Sequence, residues 1–91
     1  MKLNLSNIPL HMHEGIQEYV DHGWRPGGFF YAVLCNDLVE AANKADDINK
    51  HCLFDYASLL YNDIPSAAWG SPKKVGTWVD QGGMDYYKGK E

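Results

Sequence analysis

Hydrophobic residues in this chain recur mainly three and four positions apart, which is the spacing of one face of an α-helix. The clearest stripe consists of Ile48, Cys52, Tyr56, Leu59 and Leu60. Asp46 and Asp47 precede it and can cap a first helical turn, and Asn62-Asp63 with Pro65 can end it. The pattern therefore predicts one long helix that begins near Asp46 and ends near Asn62.

Two further stretches show the same period. Ile16, Tyr19 and Val20 predict a helix over about residues 12–22, and Gly23 is placed to stop it. Later, Ser71-Pro72 resembles a helix cap followed by a first-turn proline. Val75, Trp78 and Val79 then form one apolar face before Gly82-Gly83, which predicts a last helix with Trp78 in the core.

The middle of the chain allows two interpretations. A loop, Trp24-Arg25-Pro26-Gly27-Gly28, leads into an apolar run that extends from Phe29 to Ala45. This run fits one helix over residues 27–44. It also fits two short helices that meet near Asn36, because the side chains of Asn36-Asp37 can cap a new helix there.

The two ends of the chain have weaker patterns. Residues 1–10 alternate apolar and polar positions and contain Pro9, so they predict an extended arm over the core, with a short edge strand as the alternative. Residues 84–91 predict a flexible tail. The fold prediction is thus an all-α single domain of four or five short helices over residues 1–83, with an N-terminal arm and this C-terminal tail.

Composition and charge limit the range of partners. A 91-residue chain that is 45% hydrophobic has room for one folded core, and oligomerisation would bury more of its surface. Its net charge of −4, with Arg25 as its one arginine, argues against broad contact with duplex nucleic acid. A single phosphorylated small molecule stays compatible with this charge, because one or two cations can hold it.

The apolar content also indicates a location. No apolar run approaches the roughly 20 residues of a membrane span, and the first residues lack the features of a secretion signal. Cys35 and Cys52 lie within helical patterns, which predicts buried thiols in a reducing compartment. We expect a protein of the cytoplasm.

Three clusters were considered for catalysis or metal binding. His11 and His13 are not spaced as two ligands on one helix face, and His51 with Asp55 has no nucleophile beside it. The group Asp46, Asp47 and Asn49 lacks the glycine and glutamate of a calcium loop. Capping and solvent-facing roles explain all three, so we predict no enzyme, no metal and no cofactor.

Aromatic residues make up 13% of the chain, and several lie outside the helical stripes. Rings near loops suit a protein interface or stacking on a base. We expect Arg25 and the amides of Gly27 and Gly28 to bind an anionic group, and Trp24 or Trp69 to stack on a ring. Asn36, Asp46 and Asn49 are the expected polar contacts.

A set of motifs resembles a group of short proteins encoded by tailed bacteriophages and prophages, across about residues 8–79. The motifs are Ile8-Pro9, Tyr19-Val20, Pro26-Gly27-Gly28-Phe29-Phe30-Tyr31-Ala32-Val33-Leu34, Asn36-Asp37-Leu38, Ala45-Asp46-Asp47-Ile48-Asn49, Leu60-Tyr61-Asn62, Pro65 and Trp69-Gly70-Ser71. The resemblance implies a phage accessory protein and transfers no catalytic residue.

Phage proteins of this size commonly act on the host in stoichiometric amounts, which is an analogy of genome context. We therefore expect a non-enzymatic binding protein in the host bacterial cytoplasm that counteracts a defence or regulatory process by sequestering a nucleotide-like signalling molecule. The alternative is an inhibitor or adaptor that binds a host protein through an aromatic surface patch. A concave site favours the first hypothesis, and an exposed apolar surface favours the second.

Overall fold

The computed structural model describes residues 1–86, and these residues form α-helices and 3-10 turns without a β-strand. The α-helices are α1 (His13–His22), α2 (Gly28–Leu34), α3 (Leu38–Lys44), α4 (Leu53–Asn62) and α5 (Pro72–Gln81). The 3-10 turns are Leu10–Met12, Asn49–His51 and Ser66–Ala68. The predicted all-α class is confirmed. Within this described part, no helix combines the length and the apolar character needed to span a bilayer.

The N-terminal residues form an arm rather than an edge strand. Leu3 and Leu5 pack partly buried against the core, and Ile8 is buried in it. The backbone N–H of Asn4 donates to a carboxylate oxygen of Asp63 at 2.9 Å, which ties the arm to the residue after α4. At the other end, residues 84–86 are helical, although a flexible tail was predicted over 84–91. The rest of that predicted tail, residues 87–91, lies outside the described residues.

The middle of the chain forms two short helices that meet at Asn36. Asn36 has a φ of 62°, in the left-handed region where a helix cannot continue. Asn is tolerated there better than most residues with a side chain. Asp37 then caps α3, because its Oδ1 accepts the backbone N–H of Glu40 at 3.2 Å. Of the two interpretations left open by the sequence, the broken helix is the observed one.

The predicted start of the long helix near Asp46 is wrong. The helix α4 begins at Leu53, and Asp46 instead closes a turn, because its Oδ1 accepts the backbone N–H groups of Ile48 and Asn49 at 3.1 and 2.6 Å. Short polar side chains compete with helical hydrogen bonds in this way. Cys52, with φ −118° and ψ 12°, separates the following 3-10 turn from α4. Its place in the apolar stripe therefore did not indicate helical backbone.

The core is centred on three large aromatic side chains: Trp78, Tyr19 and Tyr56 are almost fully buried. The indole N–H of Trp78 on α5 donates to the carbonyl of Tyr19 on α1 at 3.0 Å. The Tyr19 hydroxyl in turn donates to the carbonyl of Ala68 at 2.6 Å, and burial raises the pKa of this phenol. Core placement of Trp78 was predicted from its apolar face and is confirmed.

The C-terminal ends of α1 and α5 meet through glycines. Gly23 caps α1 and Gly82 caps α5, both in the left-handed conformation, and Gly83 has a φ of 68°. A Cβ added to Gly83 would lie 2.5 Å from the backbone nitrogen of Gly23 and 2.9 Å from the backbone of His22. The approach of the two helix ends thus requires a residue without a side chain at position 83.

We expect Gly83→Ala to lower the free energy of unfolding by roughly 2–4 kcal/mol, because the new methyl group adds left-handed strain and a backbone collision. Gly76→Ala is the matched control: it lies inside α5, and its Cβ would meet no atom within 4 Å. That change should stabilise the protein by about 0.5–1 kcal/mol through helix propensity. Urea unfolding measures both, and equal effects of the two variants would contradict the packing argument.

Candidate functional site

A cleft of about 330 Å³ opens where the start of α1, the loop before α2 and the end of α3 come together. Its lining residues are His11, Met12, Gly15, Ile16, Arg25, Pro26, Gly27, Gly28, Phe29, Phe30, Lys44, Asp46 and Asn49. The volume is near the lower end of the range of small-molecule sites, about 300–1,000 Å³. It suits a ligand of a few dozen atoms at most.

Two cations face this cleft. The ammonium nitrogen of Lys44, at the end of α3, is 3.6 Å from the position that a Cβ on Gly28 would occupy. Arg25 lies in the loop before α2, near enough to Tyr31 to act on its phenol electrostatically. Neither cation forms an ion pair or a hydrogen bond with another residue of segment 1–86. Both charges therefore remain available to an anion.

Asp46 contributes a carboxylate to the same cleft. Its Oδ1 accepts the backbone N–H groups that close the 46–49 turn, and its Oδ2 lies 3.1 Å from Nε2 of His11. The N–H of Asn49 is the largest influence that lowers the carboxyl pKa, and the His11 hydrogen bond lowers it further. The group is thus an anion at neutral pH, and its position is determined by the backbone.

Asn49 is the buried polar residue of the core, with 2% of its surface exposed. The hydroxyl of Tyr56 donates to its Oδ1 at 2.6 Å, which orients the amide group. Its Nδ2 forms no hydrogen bond within residues 1–86, and no unpaired side-chain nitrogen there is sealed from solvent. Asn49 lines the cleft, and Nδ2 is its unused side-chain donor.

The wall between these polar groups is aromatic. Phe29 contacts the ring of Tyr56 edge-on, with centroids 5.1 Å apart, and Phe30 contacts the ring of Tyr19 edge-on at 6.1 Å. Phe30 is buried and Phe29 is partly buried. Edge-to-face contacts hold such rings in place, so the apolar lining of the cleft is ordered.

The structure brings together five of the eight predicted ligand-binding residues. Arg25, Gly27, Gly28, Asp46 and Asn49 all line the cleft. Residues that sequence reasoning did not assign to this site are Lys44, Phe29, Phe30 and His11. Phe29 and Phe30 had been assigned to a buried helix, and nothing in the sequence indicated that α3 ends beside Gly28.

The remaining three predicted residues lie outside the cleft. Trp24 is 63% exposed and contacts the His22 ring, with centroids 5.9 Å apart. Asn36 forms the left-handed turn between α2 and α3. Trp69 packs partly buried against the core, and its Nε1 donates to the carbonyl of Ile64 at 3.3 Å. The aromatic residues that line the cleft are therefore Phe29 and Phe30, and not the two tryptophans.

The clusters considered for metal or acid–base chemistry are separated. His13 Nε2 contacts the carbonyl of Ile8 at 2.7 Å, whereas His11 pairs with Asp46. His51 lies in a 3-10 turn and Asp55 in α4, so they do not share one helix as i, i+4 neighbours. Over the described residues, no group of three His, Cys, Asp or Glu side chains could hold a metal ion.

The two cysteines are free thiols, and both are partly buried, whereas buried thiols were predicted. Burial is the main cause that raises the pKa of Cys35. Cys52 lies at the break before α4, where its thiol points to the carbonyl of Ile48 at 3.6 Å. Neither cysteine lines the cleft.

Comparison with protein-family models, with curated protein sequences and with solved structures gives no match for this chain. The chemistry of the cleft residues is therefore the main ground for a functional hypothesis.

We expect the carboxyl pKa of Asp46 to lie below its ordinary value of 3.8, and to stay below it in His11→Ala, because the N–H of Asn49 is the larger cause. Since the folded pKa is lowered, the stabilising contribution of Asp46 is present above the unfolded pKa and is lost as the pH falls through the folded pKa. Carbon-detected NMR titration of the side chain measures this. An Asp46 pKa that returns to its ordinary value in His11→Ala would show that the histidine is the dominant partner.

Proposed function

We propose that this protein is a non-enzymatic binding protein that captures a nucleotide-like signalling molecule in the cleft of Arg25 and Lys44. Following the phage resemblance, we place it in the host bacterial cytoplasm, where it counteracts a defence or regulatory process. The observation that carries the proposal is the pair of cations that have no ion pair or hydrogen bond in the described part of the chain and that lie beside the aromatic residues of the cleft. A phosphorylated ring compound presents the complementary groups.

The net negative charge of the chain makes the position of Arg25 and Lys44 at one cleft unusual. Twelve acidic residues outnumber eight lysines and arginines, so the average surface repels anions. Two unpaired cations at one cleft form a local exception to that repulsion. An arginine can donate two parallel hydrogen bonds to a phosphate, and a lysine adds a point charge. A small anion is thus favoured here over a long nucleic-acid backbone.

The cleft supports binding without turnover. His11 and Asp46 are its acid–base pair; Asp46 closes the 46–49 turn, and His11 is paired with the other oxygen of this carboxylate. Among residues 1–86, no serine, threonine or cysteine lines the cleft to act as a nucleophile. Stoichiometric capture needs only affinity, which the cations and the rings can supply.

We expect Arg25→Ala and Lys44→Ala each to weaken binding of guanosine 5′-monophosphate about tenfold or more, because each removes a charge-assisted hydrogen bond. Lys73→Ala is the matched control: it removes one positive charge from an exposed site on α5, outside the cleft. Isothermal titration calorimetry compares the three variants with the unmodified protein.

Two results would contradict this proposal. Equal losses in the Lys73 and Lys44 variants would indicate general electrostatics in place of a site. A nucleotide that is converted to product during incubation, detected by mass spectrometry, would remove the non-enzymatic assignment.

A second function, an inhibitor or adaptor of a host protein, is favoured by a different observation. Leu38 and Val39 on α3 and Phe54 and Tyr61 on α4 are each at least 70% exposed. Large apolar side chains with such exposure on neighbouring elements are typical of protein-binding surfaces. A shallow groove of about 80 Å³, which includes Leu38, lies between these two helices.

If this second function holds, Val39→Ser with Phe54→Ser should abolish capture of a host protein and leave nucleotide binding unchanged. Arg25→Ala should weaken nucleotide binding and leave capture of the host protein unchanged. Pull-down from a host lysate, with calorimetry on the same variants, separates the two functions. Capture that persists in the serine variant would exclude these side chains as the contact.

A further inference from the structure

We infer that Asn49 and Asp46 read the base of the ligand and select keto bases, such as guanine, hypoxanthine and uracil, over amino bases. This inference rests on the proposed nucleotide-binding function and names its specificity-determining residues. In the arrangement that we infer, the Arg25 and Lys44 cations hold the phosphate and the base lies along Phe29 and Phe30. The Asn49 amide and the Asp46 carboxylate then meet the edge of the base.

The side-chain amide of Asn49 has one hydrogen-bonding group in use, the Oδ1 acceptor, and one unused, the Nδ2 donor. A buried polar atom normally has a hydrogen-bond partner, and the Oδ1 atom has one in the Tyr56 hydroxyl. The Nδ2 donor has none within the described part of the chain, although 98% of the residue is buried, as its exposed fraction of 2% shows. An acceptor atom on a ligand in the cleft would complete this amide.

Asp46 supplies the complementary acceptor. Its Oδ1 already accepts two backbone N–H groups, and its Oδ2 has one contact, with His11. A carboxylate oxygen can accept two hydrogen bonds, so Oδ2 keeps one position free. The backbone N–H of Asn49 donates to Asp46 Oδ1 at 2.6 Å, so the free donor and the free acceptor belong to two residues in direct contact.

Adjoining donor and acceptor groups match a ring C=O next to a ring N–H, which is the edge of a keto base. The carbonyl oxygen has two lone pairs for the Asn49 donor, and the ring N–H is a stronger acid than an exocyclic amine, so it binds a carboxylate better. Amino bases carry an amine and a bare ring nitrogen in the opposite order. They could match only if the base turned over relative to the phosphate.

The first test uses the unmodified protein and two ligands that differ only at this edge. Inosine 5′-monophosphate has the C=O and N–H pair, and adenosine 5′-monophosphate has the amine and the bare nitrogen. We expect inosine monophosphate to bind about tenfold or more tightly, as calorimetry would show. For the same reason, uridine monophosphate should bind more tightly than cytidine monophosphate.

The second test changes Asn49, the residue that we infer contacts the base. Asn49→Asp keeps the Oδ1 acceptor for Tyr56 and replaces the Nδ2 donor by an acceptor, so the inosine-to-adenosine affinity ratio should fall to about one or below. Asn7→Asp, an exposed site outside the cleft, is the control with the same charge change. Should Asn49→Asp fail to fold by circular dichroism, Tyr56→Phe releases the amide and should reduce the ratio several-fold. General destabilisation of the protein would weaken the binding of both monophosphates alike, so it would not change the ratio of their affinities.

The outcomes distinguish this inference from the proposed function. Equal affinities for the two monophosphates, with both weakened by Arg25→Ala, would overturn base selection and leave the nucleotide site standing. An unchanged ratio in Asn49→Asp would overturn the role of Asn49. No binding of any of the four monophosphates would overturn both proposals.

Discussion

The hydrogen bond from the buried Trp78 indole to the carbonyl of Tyr19 holds the rest of the structure in place. It joins α5 to α1 from positions 59 residues apart, and the Tyr19 hydroxyl extends the connection to Ala68. Buried polar groups must be paired, so any arrangement that separated these helices would leave an indole, a phenol and two carbonyls unsatisfied. The orientation of α1, which forms one wall of the cleft, follows from this constraint.

The aromatic rings that line the cleft pack against the aromatic rings of the core. Tyr19 contacts Phe30, Phe30 contacts Tyr56, and Tyr56 contacts Phe29 and hydrogen-bonds Asn49. Of these residues, Phe29, Phe30 and Asn49 line the cleft, and the buried Tyr19 and Tyr56 support them from the core. In a domain of this size few side chains are available, and a shared set gives a rigid site without additional elements. The geometry of the polar cleft groups therefore depends on the packing of the core.

Apolar periodicity predicted α1 and α5 well because both present one buried face and end at glycines. It failed between Asp46 and Cys52, where local side-chain hydrogen bonds outweighed the helical pattern. Residue chemistry selected Arg25 and Asn49 for the cleft, yet it could not indicate Lys44, because its place beside Gly28 depends on how α3 returns after the left-handed Asn36. Such contacts come from tertiary packing and leave no trace in local spacing.

The two proposed functions, capture of a small ligand and docking on a protein, can be compared by asking which side chains are already buried in the unliganded protein. At the cleft, Asn49 and Phe30 are already buried, so the binding that we propose would require little reorganisation of these groups. On α3 and α4, Val39 and Phe54 are exposed and must be immobilised by a partner. Preorganisation is therefore the physical ground on which we propose the cleft as the primary site, and the Arg25 and Lys44 charges, which have no ion-pair partner within residues 1–86, are the ground for proposing an anion there.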